Sequence, residues 1–184
     1  MIQNKKDYIE FLEADKVQLK RSTKKPRFND YVWKFEIILR KCEYYNNCKR
    51  GILNKLILNF YKYKKFKLGL KCNFSIPLNV FDKGLSIAHI GPIIINEYAK
   101  IGQNCRIHVG TNIGTKAGFS NQAPTIGDNV YIGPGAKIFG KIKIGNNIAI
   151  GANAVVNKSF ENDNITIAGV PAKKISDKGS KGLI

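Results

Sequence analysis

Residues 126–156 read IGDNVYIGPGAKIFGKIKIGNNIAIGANAVV, with an aliphatic residue at Ile126, Ile132, Ile138, Ile144, Ile150 and Val156, one every six positions. The same period runs upstream through Ile101, Ile107 and Ile113, and the units fill as aliphatic–Gly–x–x–small–x: IGQNCR, IGDNVY, IGPGAK, IGNNIA, IGANAV. A fixed short period makes every unit repeat one backbone path, so the chain stacks coil upon coil. Side chains alternate across a strand, so the aliphatic at position one and the small or aliphatic residue at position five both face the axis. Glycine at position two suits a corner where side chains would crowd. Three flat strands per coil close a triangular prism, and one full coil takes eighteen residues.

The register has one visible interruption. Ile113 to Ile126 spans thirteen residues rather than twelve, and the polar segment TKAGFSNQAPT is expected to bulge outward as a loop. CNFSIPLNVFDKGLSIAHIG (72–91), punctuated by Pro77 and Gly84, reads as an irregular first coil.

The first seventy residues keep helical spacing instead. Tyr8, Phe11, Leu12 and Leu19 form one stripe, Phe28, Val32, Phe35, Leu39 and Cys42 a second, and Leu53, Leu56, Ile57, Phe60 and Tyr61 a third. Asn29 or Asp30 is a candidate cap for the second helix, Asn46-Asn47 marks a turn, and Gly69 ends the region. The expected organisation is a helical region 1–70, a prism 71–172 and a basic tail 173–184 that caps the prism. The fold class is therefore mainly β: a parallel β-helix of hexapeptide repeats with an α-helical N-terminal region.

The 184 residues carry a net charge of +18. Residues 1–71 hold 19 Lys+Arg against 7 Asp+Glu, and the remainder 12 against 6, so the excess sits mainly outside the repeats. Such charge favours polyanions in general and selects none of them. No aromatic platform or reader motif accompanies it, so nucleic acid is not the expected partner. The Lys62–Lys67 cluster beside an apolar stripe points instead to peripheral contact with an anionic membrane. No apolar run is long enough to cross a bilayer and no signal peptide is evident, which places the chain in the cytoplasm, at most peripheral to the inner membrane face. Cys42, Cys48, Cys72 and Cys105 lie at irregular spacing without a CxxC pair and read as reduced thiols.

The only histidines are His89 and His108. Nineteen residues apart, they fall on adjacent coils roughly 5 Å apart along the axis, and can line one groove. His108 takes an outward position. His89, counted back from Ile95, falls where an aliphatic residue is expected, and a polar residue that breaks a consistent pattern marks function. Either imidazole can act as a general base. Two histidines are too few for a three-imidazole zinc site, and no metal is expected.

GLSIAHIGPIIINEYAKIG (84–102), IHVGTNIGT (107–115), the 123–156 run and IAGVPAK (167–173) together resemble the serine acetyltransferase branch of the hexapeptide acyltransferases, over about the C-terminal 110 residues. The resemblance implies a left-handed coil, a homotrimer and acetyl-CoA as cosubstrate. It implies that His89 is the catalytic base, with His108 on the adjacent coil as a second catalytic or acceptor-contacting group. It places the pantetheine arm along Gly114, Thr115, Gly133, Pro134, Gly151 and Ala152, and the nucleotide end near Lys173. The chain departs from the branch at Ala88, where an aspartate precedes the histidine, at Phe74, where an acid stands, and at Gln122-Ala123, where the family has Arg-His. Without that arginine and histidine the pocket lacks groups to hold a small zwitterion. The expectation is therefore acetyl transfer to a sugar hydroxyl of a surface (capsular or lipopolysaccharide) polysaccharide or its precursor, with a carbohydrate acceptor as partner. Three alternatives stand beside it: serine O-acetylation in cysteine biosynthesis, N-acetylation of an amino sugar, and a non-enzymatic basic binding protein.

Overall fold

The computed structural model describes residues 1–184. From Phe74 the chain winds into a three-sided parallel β-helix. One face stacks Phe74–Ser75, Ile93–Ile95, Asn112–Gly114, Lys137–Phe139 and Val155–Val156. The second stacks Lys100–Ile101, Thr125–Ile126 and Lys143–Ile144. The third stacks Ser86–Ile87, Arg106–Ile107, Tyr131–Ile132, Ala149–Ile150 and Thr166–Ala168, closed by Lys173–Ser176 running antiparallel. Each coil visits the third face, then the first, then the second.

The repeat pattern dictates this interior. Ile107, Ile132, Ile150 and Ile167 pair in register along the third face and are wholly buried. The position-five residues Cys105, Val130, Ala136, Ile148 and Ala154 are buried beside them. Each buried isoleucine contributes about 1.5–3 kcal/mol of burial. Burial also pushes the Cys105 thiol up to about 12, so it packs as a small apolar group. The position-two glycines serve the approach of neighbouring coils: a Cβ on Gly133 would stand 2.8 Å from the Ala152 backbone nitrogen. Along one edge the left-handed corners are held mostly by asparagines. Asn104, Asn129, Asn147 and Asn164, all at positive φ, pass a side-chain hydrogen bond from one to the next along a single edge.

Two coils are longer than eighteen residues. Ile87 pairs with Ile107 and Ile107 with Ile132, offsets of 20 and 25. The loop is therefore larger than the spacing suggested. Ile113 and Ile126 occupy consecutive faces, so thirteen residues stand where six suffice, and the surplus seven form a loop exposed from Lys116 to Asn121.

Three helices precede the prism: α1 (Lys5–Gln18), α2 (Tyr31–Cys48) and α3 (Ile52–Cys72). Asp30 caps α2, its carboxylate accepting from the Trp33 N–H. Helix α2 runs through Asn46-Asn47, and the turn falls at residues 49–51. Helix α3 continues past Gly69 and is stopped by Asn73 in the left-handed conformation. Phe28 lies before α2 and is exposed, so it takes no part in the second stripe.

One guanidinium ties these helices to the prism. Arg40 of α2, fully buried, donates to both Asp15 oxygens of α1 at 2.7 and 3.2 Å, to Glu43 at 2.9 Å, and to the Phe81 and Asp82 carbonyls at 2.9 and 2.7 Å. Asp15 also accepts the Gly84 and Leu85 N–H groups, and Glu43 the Asn79 N–H. Burial opposes the charge on Arg40, but Asp15 and Glu43 outweigh it and hold the group above its ordinary range. Replacing Arg40 by alanine leaves two buried carboxylates without their cation. The Arg40→Ala variant is expected to lose about 3–5 kcal/mol in urea unfolding. A loss below 1 kcal/mol would show that the network does not hold the helices down.

Candidate active site

The edge between the third and first faces gathers most of the residues that the sequence singles out. It begins at His89, after Ser86–Ile87, and passes His108, Gly133-Pro134 and Gly151-Ala152 on successive coils. Lys173, paired with Ala168, stands at its far end. Five steps of about 4.8 Å, from Ser86–Ile87 to Lys173–Ser176, give this edge a length of roughly 24 Å.

His89 does not replace an inward aliphatic. Ile87 fills the interior position, and the two surplus residues of this coil carry His89 outward, where it is exposed. Counting back from Ile95 at a constant six misplaces it because this coil is longer. The His89 and His108 ring centroids are 6.2 Å apart, and Tyr131 lies 5.0 Å from His108 on its other side. His108 is half-buried, and its Nε2 is enclosed without a hydrogen-bond partner. Burial, reinforced by Arg106 and by His89, holds the His108 imidazole below its ordinary value of 6.5. The ring is packed between those of His89 and Tyr131.

The glycines are less available than the sequence suggests. The Gly133 N–H donates to Ile150 O and the Gly151 N–H to Ile167 O, both at 2.8 Å. Those amides belong to the coil ladder, and what the edge offers a ligand is the exposed surface of Pro134 and Ala152, with the Ala152 N–H engaged by nothing in the chain. Gly114 and Thr115 lie elsewhere, at the edge between the first and second faces where the seven-residue loop departs. A single chain does not bring them to His89. The Thr115 N–H also has no partner within the chain.

The polar pair that follows Ile95 and the aromatic ring at position 74 both lie away from His89. Asn96 and Glu97 sit at the Gly114 edge, where Asn96 accepts the Tyr98 N–H. Phe74 packs edge-on against Phe35 with ring centroids 5.1 Å apart, in an apolar contact.

The periodicity gave no sign of the partner that His89 does have. The connection between α1 and α2 folds over the edge and encloses a cleft of about 680 Å3 lined by His89, Ala88, Lys20, Arg21, Arg27, Asn29 and Asp30. Arg21 is paired to Asp30 at 2.8 Å, whereas Lys20 and Arg27 form no ion pair. The only sequence signal was the basic run KRSTKKPR (20–27) between two helical stripes. No group of three or more His, Cys, Asp or Glu side chains is arranged to hold a metal ion.

Comparison with known proteins agrees with this architecture. Residues 123–158 match the family described as bacterial transferase hexapeptide (six repeats). The chain is 37% identical over 98 residues to a serine acetyltransferase of Synechococcus elongatus and 40% identical over 98 residues to one of Staphylococcus aureus (strain Mu50). These matches cover 53% of this chain in each case, and 40% and 46% of the two relatives, so the chain spans less than half the length of the curated relatives it matches. The crystal structure of serine acetyltransferase in complex with coenzyme A from Brucella abortus superposes with a TM-score of 0.73 at 26% identity, covering 95% of this chain and 70% of that one. The fold is thus the left-handed β-helix of hexapeptide repeats that the sequence resembles. The expectation of a polysaccharide sugar as acceptor is corrected: these relatives are serine acetyltransferases. That expectation rested on the loss of cations at residues 122–123. The cleft shows Lys20 and Arg27 beside His89, supplied from another part of the chain.

His108 generates a pH prediction. The unfolded chain takes up its proton at a higher pH than the folded one, so stability falls as pH drops through the ordinary histidine range. NMR titration is expected to show a His108 midpoint below 6.5 that rises in Arg106→Gln. A midpoint at or above 6.5 would contradict the packing described.

Proposed function

We propose that this chain transfers an acetyl group from acetyl-CoA to the hydroxyl of L-serine, with His89 as general base. The observation that carries the proposal is the position of His89, exposed where the edge of small residues meets the cationic cleft. The relatives supply the chemistry, and the cleft supplies what the sequence reading found missing.

In this reading the pantetheine arm lies over Pro134 and Ala152, and Lys173 stands near the nucleotide phosphates. The acceptor enters the cleft with its carboxylate against Lys20 and Arg27. Its hydroxyl gives a proton to the His89 imidazole as the oxygen attacks the thioester carbonyl. The carbon–sulfur bond breaks, an ester forms, and the proton passes to the departing thiolate. His108, packed on Tyr131, backs the His89 ring and contacts the acceptor. A thiolate leaves without a strong acid.

The assembly proposed is a homotrimer. In a three-fold arrangement the His89 edge of one chain faces the Gly114–Thr115 edge of the next, and the free Thr115 N–H becomes a donor for the developing oxyanion. The prism over 71–172 carries this chemistry and the helical region over 1–70 the acceptor cleft. Acetyl-CoA as donor places the reaction in the cytoplasm.

Thiol release with acetyl-CoA and L-serine tests the reading directly. Serine-dependent release is expected, at least tenfold above that with free sugars or amino sugars, and equal or lower release with serine would overturn it. His89→Ala is expected to cut kcat roughly a hundredfold or more with folding intact, and near-normal turnover removes it as the base. Arg27→Ala is expected to raise KM for serine roughly tenfold, the loss of one charge-assisted hydrogen bond, while KM for acetyl-CoA stays unchanged.

A further inference from the structure

Helix α3 has two apolar sides. Ile57, Tyr61, Leu68 and Cys72 turn inward, toward α2 and the first coil. Leu53, Leu56, Phe60, Tyr63 and Leu70, with Phe66 alongside, face away, and each is between 53% and 71% exposed. Steps of three and four residues align the first five on one stripe along the outer side of the helix. The lysines are placed just as regularly. Lys55 and Lys62 lie seven residues apart on one flank of the stripe, Lys64 and Lys71 seven apart on the other, and Lys67 within it. No acidic residue occurs anywhere in the 21-residue helix.

We infer that the outer face of α3 docks on an anionic lipid surface. Lysines on both flanks of an apolar stripe extend their aliphatic stems along it and set their ammonium groups at headgroup level, while leucines and phenylalanines enter the acyl boundary. A groove of about 560 Å3 opens beside the stripe between α2 and α3, floored by Ile37, Ile38 and Leu68 and rimmed by Lys34, Lys64 and Lys67. An apolar floor under a cationic rim matches the junction of a lipid headgroup and its chains. A second copy of this chain is the poorer occupant. Pairing two α3 helices face to face sets lysine rows against lysine rows with no carboxylate between them. A nucleic acid would satisfy the lysines and leave the apolar stripe in water. The helix lies on the surface and does not cross it, since no helix of the chain is long and apolar enough to span a membrane.

Co-sedimentation of the full chain with vesicles tests this independently of the acetyl transfer. Vesicles of phosphatidylcholine with roughly one third phosphatidylglycerol are expected to bind at least tenfold more protein than pure phosphatidylcholine, and salt is expected to weaken that binding. Lys62→Glu/Lys67→Glu is expected to abolish the preference, and Leu56→Ser/Phe60→Ser to weaken binding at least tenfold. Phe60→Trp is expected to shift its emission to the blue when anionic vesicles are added. Basal thiol release without vesicles is expected to stay unchanged in all three variants, which shows that they fold. Equal recovery on neutral vesicles overturns the inference, as does retention of duplex DNA in place of vesicles. A fall in oligomeric mass of Leu56→Ser/Phe60→Ser, measured by sedimentation velocity, also overturns it by assigning the face to a contact between copies.

Discussion

The buried Arg40 guanidinium is the constraint on which the proposed site depends. It satisfies a carboxylate of α1, a carboxylate of its own helix and two carbonyls of the first coil at once. A buried charge is tolerated only when every lone pair around it is answered, so its partners fix the angle and height at which the helices sit on the prism. The segment carrying Lys20, Arg21 and Arg27 hangs between α1 and α2, the two helices that this ion ties together. The cleft over His89 is therefore a product of docking as much as of local sequence. Glu36, whose carboxyl burial and Asp15 raise well above the usual range, adds a further tie by accepting the Ile87 N–H two residues before His89.

Stability and chemistry occupy different parts of the β-helix. Where the coil keeps its eighteen residues, Ile132 stacks on Ile150 in register and Asn129 bonds Asn147 at the corner. Where the coil lengthens, side chains escape the interior. The twenty-residue coil carries His89 onto the surface, and the twenty-five-residue coil throws out the loop beside Thr115. Both departures from the period lie on edges of the prism.

The sequence made the prism legible because one isoleucine in six is a signal that every coil repeats. The pairing of His89 with His108 was legible too, since coil length alone brings residues nineteen apart together. What the period could not show was anything set by coils of unequal length. His89 was therefore assigned to an inward slot, and nothing in the period indicated that Gly114 and Thr115 lie on a different edge of the same chain from His89. The third helical stripe mixed residues of both sides of α3, inward Ile57 and Tyr61 with outward Leu53, Leu56 and Phe60, because spacing does not say which of two apolar sides meets a neighbour. Nor could it show contacts across the two parts of the chain. Arg40 and Asp15 look like ordinary charges on amphipathic helices. Lys20 and Arg27 look like solvated residues of a basic linker, and overlooking them left the sequence reading without a cation near His89.

The most direct test is a crystal structure of the protein with coenzyme A. The account predicts the sulfur of the cofactor beside the His89 imidazole, the pantetheine arm over Pro134 and Ala152, and the nucleotide phosphates at Lys173, with Thr115 contributed by the neighbouring copy. A cofactor seated away from the His89 edge, with its sulfur out of reach of that imidazole, would contradict it.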